Sequence, residues 1–139
     1  MNFLLDTNII SEPMKPQPNA GVFKWLAEAD EDRVFLSVIT LMELRYGVER
    51  LEAGRRRKRL EEWLEHDLKD RFEARILTVN AEVADTSGRL VAESEFAGRP
   101  IETRDALIGA TAKTYGLALV TRNTRDFEAI VKNLLDPWS

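Results

Sequence analysis

Asn2-Phe3-Leu4-Leu5-Asp6-Thr7-Asn8-Ile9-Ile10-Ser11-Glu12 opens the chain, and its reading sets the fold. Asn2 to Leu5 is a short apolar run that reads as a buried strand. Asp6-Thr7-Asn8 supplies the residue types that cap a helix N-terminus. Ile9 to Glu12 then reads as a short helix stopped by Pro13, and Pro13, Pro16 and Pro18 mark a loop. A buried strand feeding directly into a helix cap is the beginning of a βα unit, and the same order recurs downstream.

Val22, Phe23, Leu26 and Ala27 recur at helical spacing, and the acidic group Glu28, Asp30, Glu31 and Asp32 reads as a solvated turn. Arg33 to Val38 is a second buried strand. From Ile39 the apolar period turns helical, with Ile39, Met42 and Tyr46 on one stripe and Leu44, Val48 and Leu51 beside it. Gly54 breaks this helix. A second one, from about Arg55 to Leu68, completes a helical hairpin. Arg75 to Val79 is a third strand, and Ala81 to Phe96 a helix ended by Gly98 and Pro100. Thr103 to Tyr115 is a helix closed by Gly116 as its C′ residue. Leu117 to Val120 is a fourth strand, Thr121-Arg122-Asn123-Thr124 caps a short helix, and Leu134-Leu135 offers a last strand. Strands alternating with helices predict a parallel sheet covered on both faces. The expected architecture is therefore an α/β/α sandwich of four to five mostly parallel strands, with a protruding helical hairpin, in one domain over residues 1–139.

Composition narrows the chemistry. The 139 residues are 44% hydrophobic and 32% charged, with a formal net charge of −4. That is enough apolar material for a core and a well-solvated surface. There is no cysteine, so disulfides, thiolate zinc sites and cysteine nucleophiles are excluded. His66 is the one histidine, which excludes His-rich metal sites. It lies in the charged stretch Glu65-His66-Asp67 and reads as a surface residue. Trp25 and Trp63 read as core, with Trp63 able to serve an interface instead. The N-terminus has no basic leader and no stretch approaches the ~20 apolar residues of a membrane span, so a cytoplasmic setting is expected.

Four acids fall where chemistry is done in such a fold, outside the C-terminal ends of the strands. Asp6 follows the first strand. Glu43 sits in the helix after the second strand and has Gly47, not a base, at i+4. Asp105 is in the first turn of its helix with Ile108, Gly109 and Ala112 at i+3, i+4 and i+7, which places it on the apolar side. Asp126 follows the fourth strand. Each has an ordinary explanation alone: a cap, a snorkelling edge residue, or a first-turn acid favoured by the helix dipole. Clustered at one end of a sheet they would repel, by roughly 3 kcal/mol for a pair ~5 Å apart at an effective dielectric near 20. Protons or a cation would relieve that repulsion. Oxygen-only ligands select Mg²⁺ or Mn²⁺. Such ions can activate water and stabilise charge on a phosphoryl oxygen, whether one ion or two is held.

These residues carry a resemblance. Leu5-Asp6-Thr7-Asn8-Ile9-Ile10-Ser11-Glu12, Ser37-Val38-Ile39-Thr40-Leu41-Met42-Glu43-Leu44-Arg45-Tyr46-Gly47, Asp105-Ala106-Leu107-Ile108-Gly109-Ala110-Thr111-Ala112 and Leu119-Val120-Thr121-Arg122-Asn123-Thr124-Arg125-Asp126-Phe127 are similar, in this order, to the motifs of PIN-domain proteins of the VapC/FitB type, the toxins of type II toxin–antitoxin pairs. The resemblance implies a PIN fold, Mg²⁺-dependent endoribonuclease activity, RNA as substrate and inhibition by a cognate antitoxin. It implies Asp6, Glu43 and Asp105 as metal ligands and catalytic acids, with Asp126 the candidate for a fourth. Many relatives carry Asp where this chain has Asn123, so Asp126 is expected to substitute, to assist through water, or only to cap. Thr7, Asn8, Thr121 and Asn123 resemble the polar residues that orient such a site by hydrogen bonds. A homodimer, antitoxin contact through the helical hairpin, and DNA contact only indirectly through the antitoxin are also implied.

For the basic residues, the run Arg55-Arg56-Arg57-Lys58-Arg59 reads first as a solvated helix face. Phosphate or antitoxin contact is the second reading. Arg99, Arg104, Arg122 and Arg125 lie nearer the acids and are the candidates for the RNA backbone or for an inhibitory antitoxin. Two other functions compete with the nuclease toxin: a catalytically silent PIN-shaped protein- or RNA-binding module, favoured by Asn123, and a DNA nuclease, disfavoured by the short chain.

Overall fold

A computed structural model describes residues 1–138. Five strands form one sheet in the order β3-β2-β1-β4-β5: β1 (Phe3–Leu5), β2 (Val34–Ser37), β3 (Ile76–Leu77), β4 (Ala118–Val120) and β5 (Leu134–Leu135). Every pairing is parallel, with Phe3 opposite both Val34 and Ala118. The chain starts at the centre, builds outward through β2 and β3, then returns to build the other half. The order therefore reverses between β1 and β4, which makes the carboxyl edge there the natural crevice.

Alternation along the strands sorts the core. Leu5, Val34, Leu36 and Val120 face one layer, where they meet Ile9 of α1 (Thr7–Ser11), Val22 of α2 (Ala20–Glu28) and Leu44 and Val48 of α3 (Val38–Glu49). Leu64, Leu68 and Phe72 of the following hairpin arm close this layer. Leu4 and Leu119 point the opposite way, onto Ile108 and Ala112 of α7 (Thr103–Tyr115) and Phe127 of α8 (Thr124–Phe127). This is the period-two pattern of a sheet buried on both faces. The helix α6 (Ala81–Phe96) packs outside α7, where Ser87 Oγ, which donates to the Val83 carbonyl of its own helix at 2.8 Å, lies 3.4 Å from the Ala106 carbonyl.

Gly109 lets α7 closely meet the end of α8 and the segment after it: a methyl there would stand 3.0 Å from Ile130 Cγ2 and 3.6 Å from Phe127 Cδ1. Gly116 ends α7 in the left-handed region at φ 64°, as the C′ reading expects.

Several details differ from the sequence reading. Pro13 does not end α1 abruptly but sits inside a 3-10 turn over Glu12–Met14. There the missing N–H costs nothing, because the first turn of a helix has no partner for it. The hairpin arm is not one regular helix to Leu68. It runs as α4 (Arg55–Glu62), a π turn over Trp63–Asp67, and α5 (Leu68–Arg71). Met42 and Tyr46 are 53% and 59% exposed, and the buried face of α3 is Thr40, Leu44 and Val48. Phe23 and Ala27 likewise point outward on α2, while Val22, Trp25 and Leu26 pack inward. In both helices the apolar residues run around most of the circumference, so spacing alone did not choose the face. His66 is exposed, and Trp25 and Trp63 pack at the edge of the core. The acidic turn is mostly solvated, with Glu31 paired to Arg71. In the basic run, Arg57 is tied to Glu49, Glu61 and the Leu51 carbonyl, and its neighbours face solvent.

Candidate active site

Asp6 is where β1 becomes α1. Its own N–H donates to the Val120 carbonyl at 2.9 Å, which pins it against β4 at the switch point. Its carboxylate accepts from the Thr7 N–H at 2.8 Å, as an N-cap, and from Thr121 Oγ1 at 2.8 Å. Asn8 Nδ2 adds a longer contact at 3.4 Å. Only 6% of Asp6 is accessible. Burial raises its pKa above the usual carboxylate value, opposed by the Thr121 and Thr7 hydrogen bonds and by Arg104.

Glu43 reaches the same region from α3. Thr7 Oγ1 donates to it at 2.8 Å. Thr40 Oγ1 lies 3.2 Å from Thr7 Oγ1. Thr7 has one hydroxyl proton and gives it to the carboxylate, so Thr40 is the donor in that contact. No base precedes or follows Glu43 within its helix at pairing distance, but Arg104 of α7 approaches its Oε2 at 3.5 Å and also meets Glu102 at 3.1 Å. The partner that the helix spacing lacks is thus supplied from another element.

Asp105 stands in the first turn of α7. Its pKa is pushed up to about 6, first by burial and then by the negative charges of Asp6, Glu102 and Asp126. Asp126, in α8, is exposed. Asp6, Glu43, Glu102, Asp105 and Asp126 line one cleft of about 420 Å³, together with Thr7, Asn8, Ser11, Arg104 and Asn123. The cleft thus holds five carboxylates against one guanidinium.

The cleft gathers all four acids singled out from sequence. Thr7, Asn8 and Asn123 are in its wall, and Thr121 acts from behind, gripping Asp6 and accepting the Asn123 N–H at 3.0 Å. Among the four arginines, only Arg104 lines the cleft. Arg99 and Arg125 border a neighbouring cavity, and Arg122 lies over the Trp138 ring at 5.3 Å. Glu102 and Thr40 were not foreseen. Glu102 occupies the N-cap position of α7 without capping through its side chain, and Thr40 sits one turn before Glu43 on a face the sequence left ambiguous.

The donor set suits a hard divalent ion: oxygen ligands only, with Asp6 and Asp105 driven toward protonation by burial and by neighbouring carboxylates. Among the described residues no three acids stand close enough to enclose an ion as placed. Glu43 is instead held toward Arg104, so an entering ion would have to draw it inward.

A parallel α/β/α sandwich with an acid-lined crevice at its topological switch point defines an α/β domain whose ligand site lies at the carboxyl edge of the sheet. The chain belongs to the PIN domain family, whose model matches residues 3–133. Toxin FitB of Neisseria gonorrhoeae is 40% identical over 135 residues, covering 97% of each chain. VapC ribonuclease Y4jK of Sinorhizobium fredii is 33% identical over 135 residues, covering 97% of this chain and 96% of its own. The crystal structure of FitAcB from Neisseria gonorrhoeae superposes with a TM-score of 0.92 at 40% identity, covering 98% of each chain. The expectation of a PIN-like parallel sandwich is borne out. No helix of the described residues is long and apolar enough to cross a membrane.

Proposed function

We propose that this protein is a Mg²⁺- or Mn²⁺-dependent endoribonuclease, the toxin of a type II toxin–antitoxin pair, acting in the cytoplasm. The observation that carries the reading is the gathering of Asp6, Glu43, Asp105 and Asp126 in one cleft beside the sheet's switch point. Relatives named as a toxin and as a ribonuclease, each matched along almost its whole length, support it.

Asp6, Glu43 and Asp105 are the residues that would hold the ion. When bound, it supplies charge stabilisation at a phosphoryl oxygen and lowers the pKa of water. The chain's own groups do the rest. Thr121 and the Thr7 N–H fix Asp6, while Thr7 Oγ1, backed by Thr40, fixes Glu43. Asp126, at the open edge, accepts the proton of the attacking water. Arg104, once released from Glu43, pairs with a phosphate oxygen. Arg99, Arg122 and Arg125 lie further out, where they meet the RNA backbone or an antitoxin segment that blocks it. A homodimer, and DNA contact only through the antitoxin, complete the proposal.

The test is cleavage of structured and single-stranded RNAs by the full chain with Mg²⁺ or Mn²⁺. Asp6→Asn and Asp105→Asn should each lower the rate at least a hundredfold while circular dichroism shows the fold retained. A wild type inert on every RNA with both ions, or variants of undiminished activity, would overturn the reading and favour a silent binding module.

A further inference from the structure

A second cavity, of about 400 Å³, lies between the C-terminal end of α6, the Pro100 turn and α8. Leu90, Ile101 and Ile130 give it apolar walls, and Arg99, Arg125 and Asp126 give it a polar edge. Asp126 lines the acid cleft as well, so the two spaces adjoin. We propose that this cavity is a base-binding subsite, taking one unstacked nucleobase of a single-stranded RNA whose backbone crosses the acid cleft. The inference rests on the nuclease reading, and adds to it the site that selects where the strand is cut.

The chemistry favours a base over other occupants. Apolar walls give a phosphate nothing, whereas they suit the faces of a planar ring. Guanidinium planes stack on bases and, at the same time, balance the adjoining phosphates. The volume falls within the range of sites that enclose small organic groups. Glu93 and Asp126 at the edge offer acceptor oxygens only. They therefore match a base that presents N–H donors, as carboxylates do with the amino group of cytosine. Guanine offers two adjacent donors to one carboxylate and uracil only one, so guanine is the better fit.

Ala97 lines the cavity from the C-cap of α6, an element that contributes no side chain to the acid cleft. Ala97→Trp should fill the space from its α6 side, away from Asp6, Glu43 and Asp105, which do not line it. The wild-type chain should bind a short RNA carrying one guanine about tenfold more tightly than its all-uracil counterpart, by fluorescence anisotropy. Ala97→Trp should erase that difference, raise KM for cleavage about tenfold, leave kcat within about twofold and flatten the choice of cut site. Arg99→Gln, a solvent-side change that threatens the fold less, should weaken guanine RNA binding severalfold. A folded Ala97→Trp with unchanged KM and cut sites, or a wild type without base preference, overturns the subsite. So does a variant altered only in oligomeric state, which would assign the cavity to a protein contact. Base-selective binding lost in Ala97→Trp, in a wild type that cleaves no RNA, would instead sink the nuclease reading and keep the subsite.

Discussion

Replacing Arg104 with Gln probes the cleft's internal balance most directly. Arg104 is the one guanidinium among five carboxylates lining the cleft. It lies 3.5 Å from Glu43 and 3.1 Å from Glu102, and its charge also lowers the pKa of Asp6 and Asp105. Under the proposed metal-dependent mechanism, an incoming Mn²⁺ displaces it from Glu43. At 3.5 Å the bare attraction is several kcal/mol at an effective dielectric near 20. The Arg104 side chain is 49% exposed, however, so the pair is worth only ~1 kcal/mol after solvent screening. That competition, once removed, should tighten Mn²⁺ binding about fivefold at neutral pH. Isothermal titration calorimetry or the loss of free-Mn²⁺ electron paramagnetic resonance signal would read it without any turnover. The same variant should bind RNA more weakly, because the group freed to meet phosphate is gone. Unchanged or weaker Mn²⁺ binding in a folded Arg104→Gln protein would refute the idea that Arg104 stands in for the ion.

Two other perturbations follow from the carboxylates. A carboxyl whose pKa rises on folding binds extra protons in the folded state, so stability falls as pH climbs from the ordinary aspartate value of 3.8 through about 6 for Asp105, and the penalty is complete above that. At full value the shift is worth roughly 3 kcal/mol, reduced to about 1–2 by partial solvent access. Asp105→Asn should therefore raise Tm by ~3–6 °C at pH 7 without metal, with the gain vanishing near pH 4; a pH-independent difference between the proteins in thermal melts would contradict this. Thr121→Val removes a hydroxyl that donates to Asp6 and accepts from the Asn123 N–H. It should cost ~1–3 kcal/mol in urea unfolding and move the pH midpoint of Mn²⁺ binding upward, because Asp6 loses a bond that lowers its pKa; an unmoved midpoint would show that the bond does not tune the site.

The sequence by itself determined the architecture and pointed to four of the five acids that line the cleft, Glu102 being the one it missed. Buried strands such as Phe3–Leu5 and Ala118–Val120 are short apolar runs bounded by caps, and alternation with helices leaves a parallel sheet as the way to bury both faces. Asp6 and Asp105 were legible because each follows a local signal, a strand end or a helix start with an apolar face behind it. What only the tertiary structure decided are the relations between elements: that Arg104 from α7 answers Glu43 from α3, that Thr121 grips Asp6 across 115 positions, and that Arg99 and Arg125 border a second cavity rather than the acid cleft. It also chose Thr40 over Met42 for the buried face of α3. Local pattern fixes backbone conformation through nearby residues, whereas the charge environment and the buried face depend on which surfaces meet. That is set by the packing of the whole sheet and its helices, which no window of sequence contains.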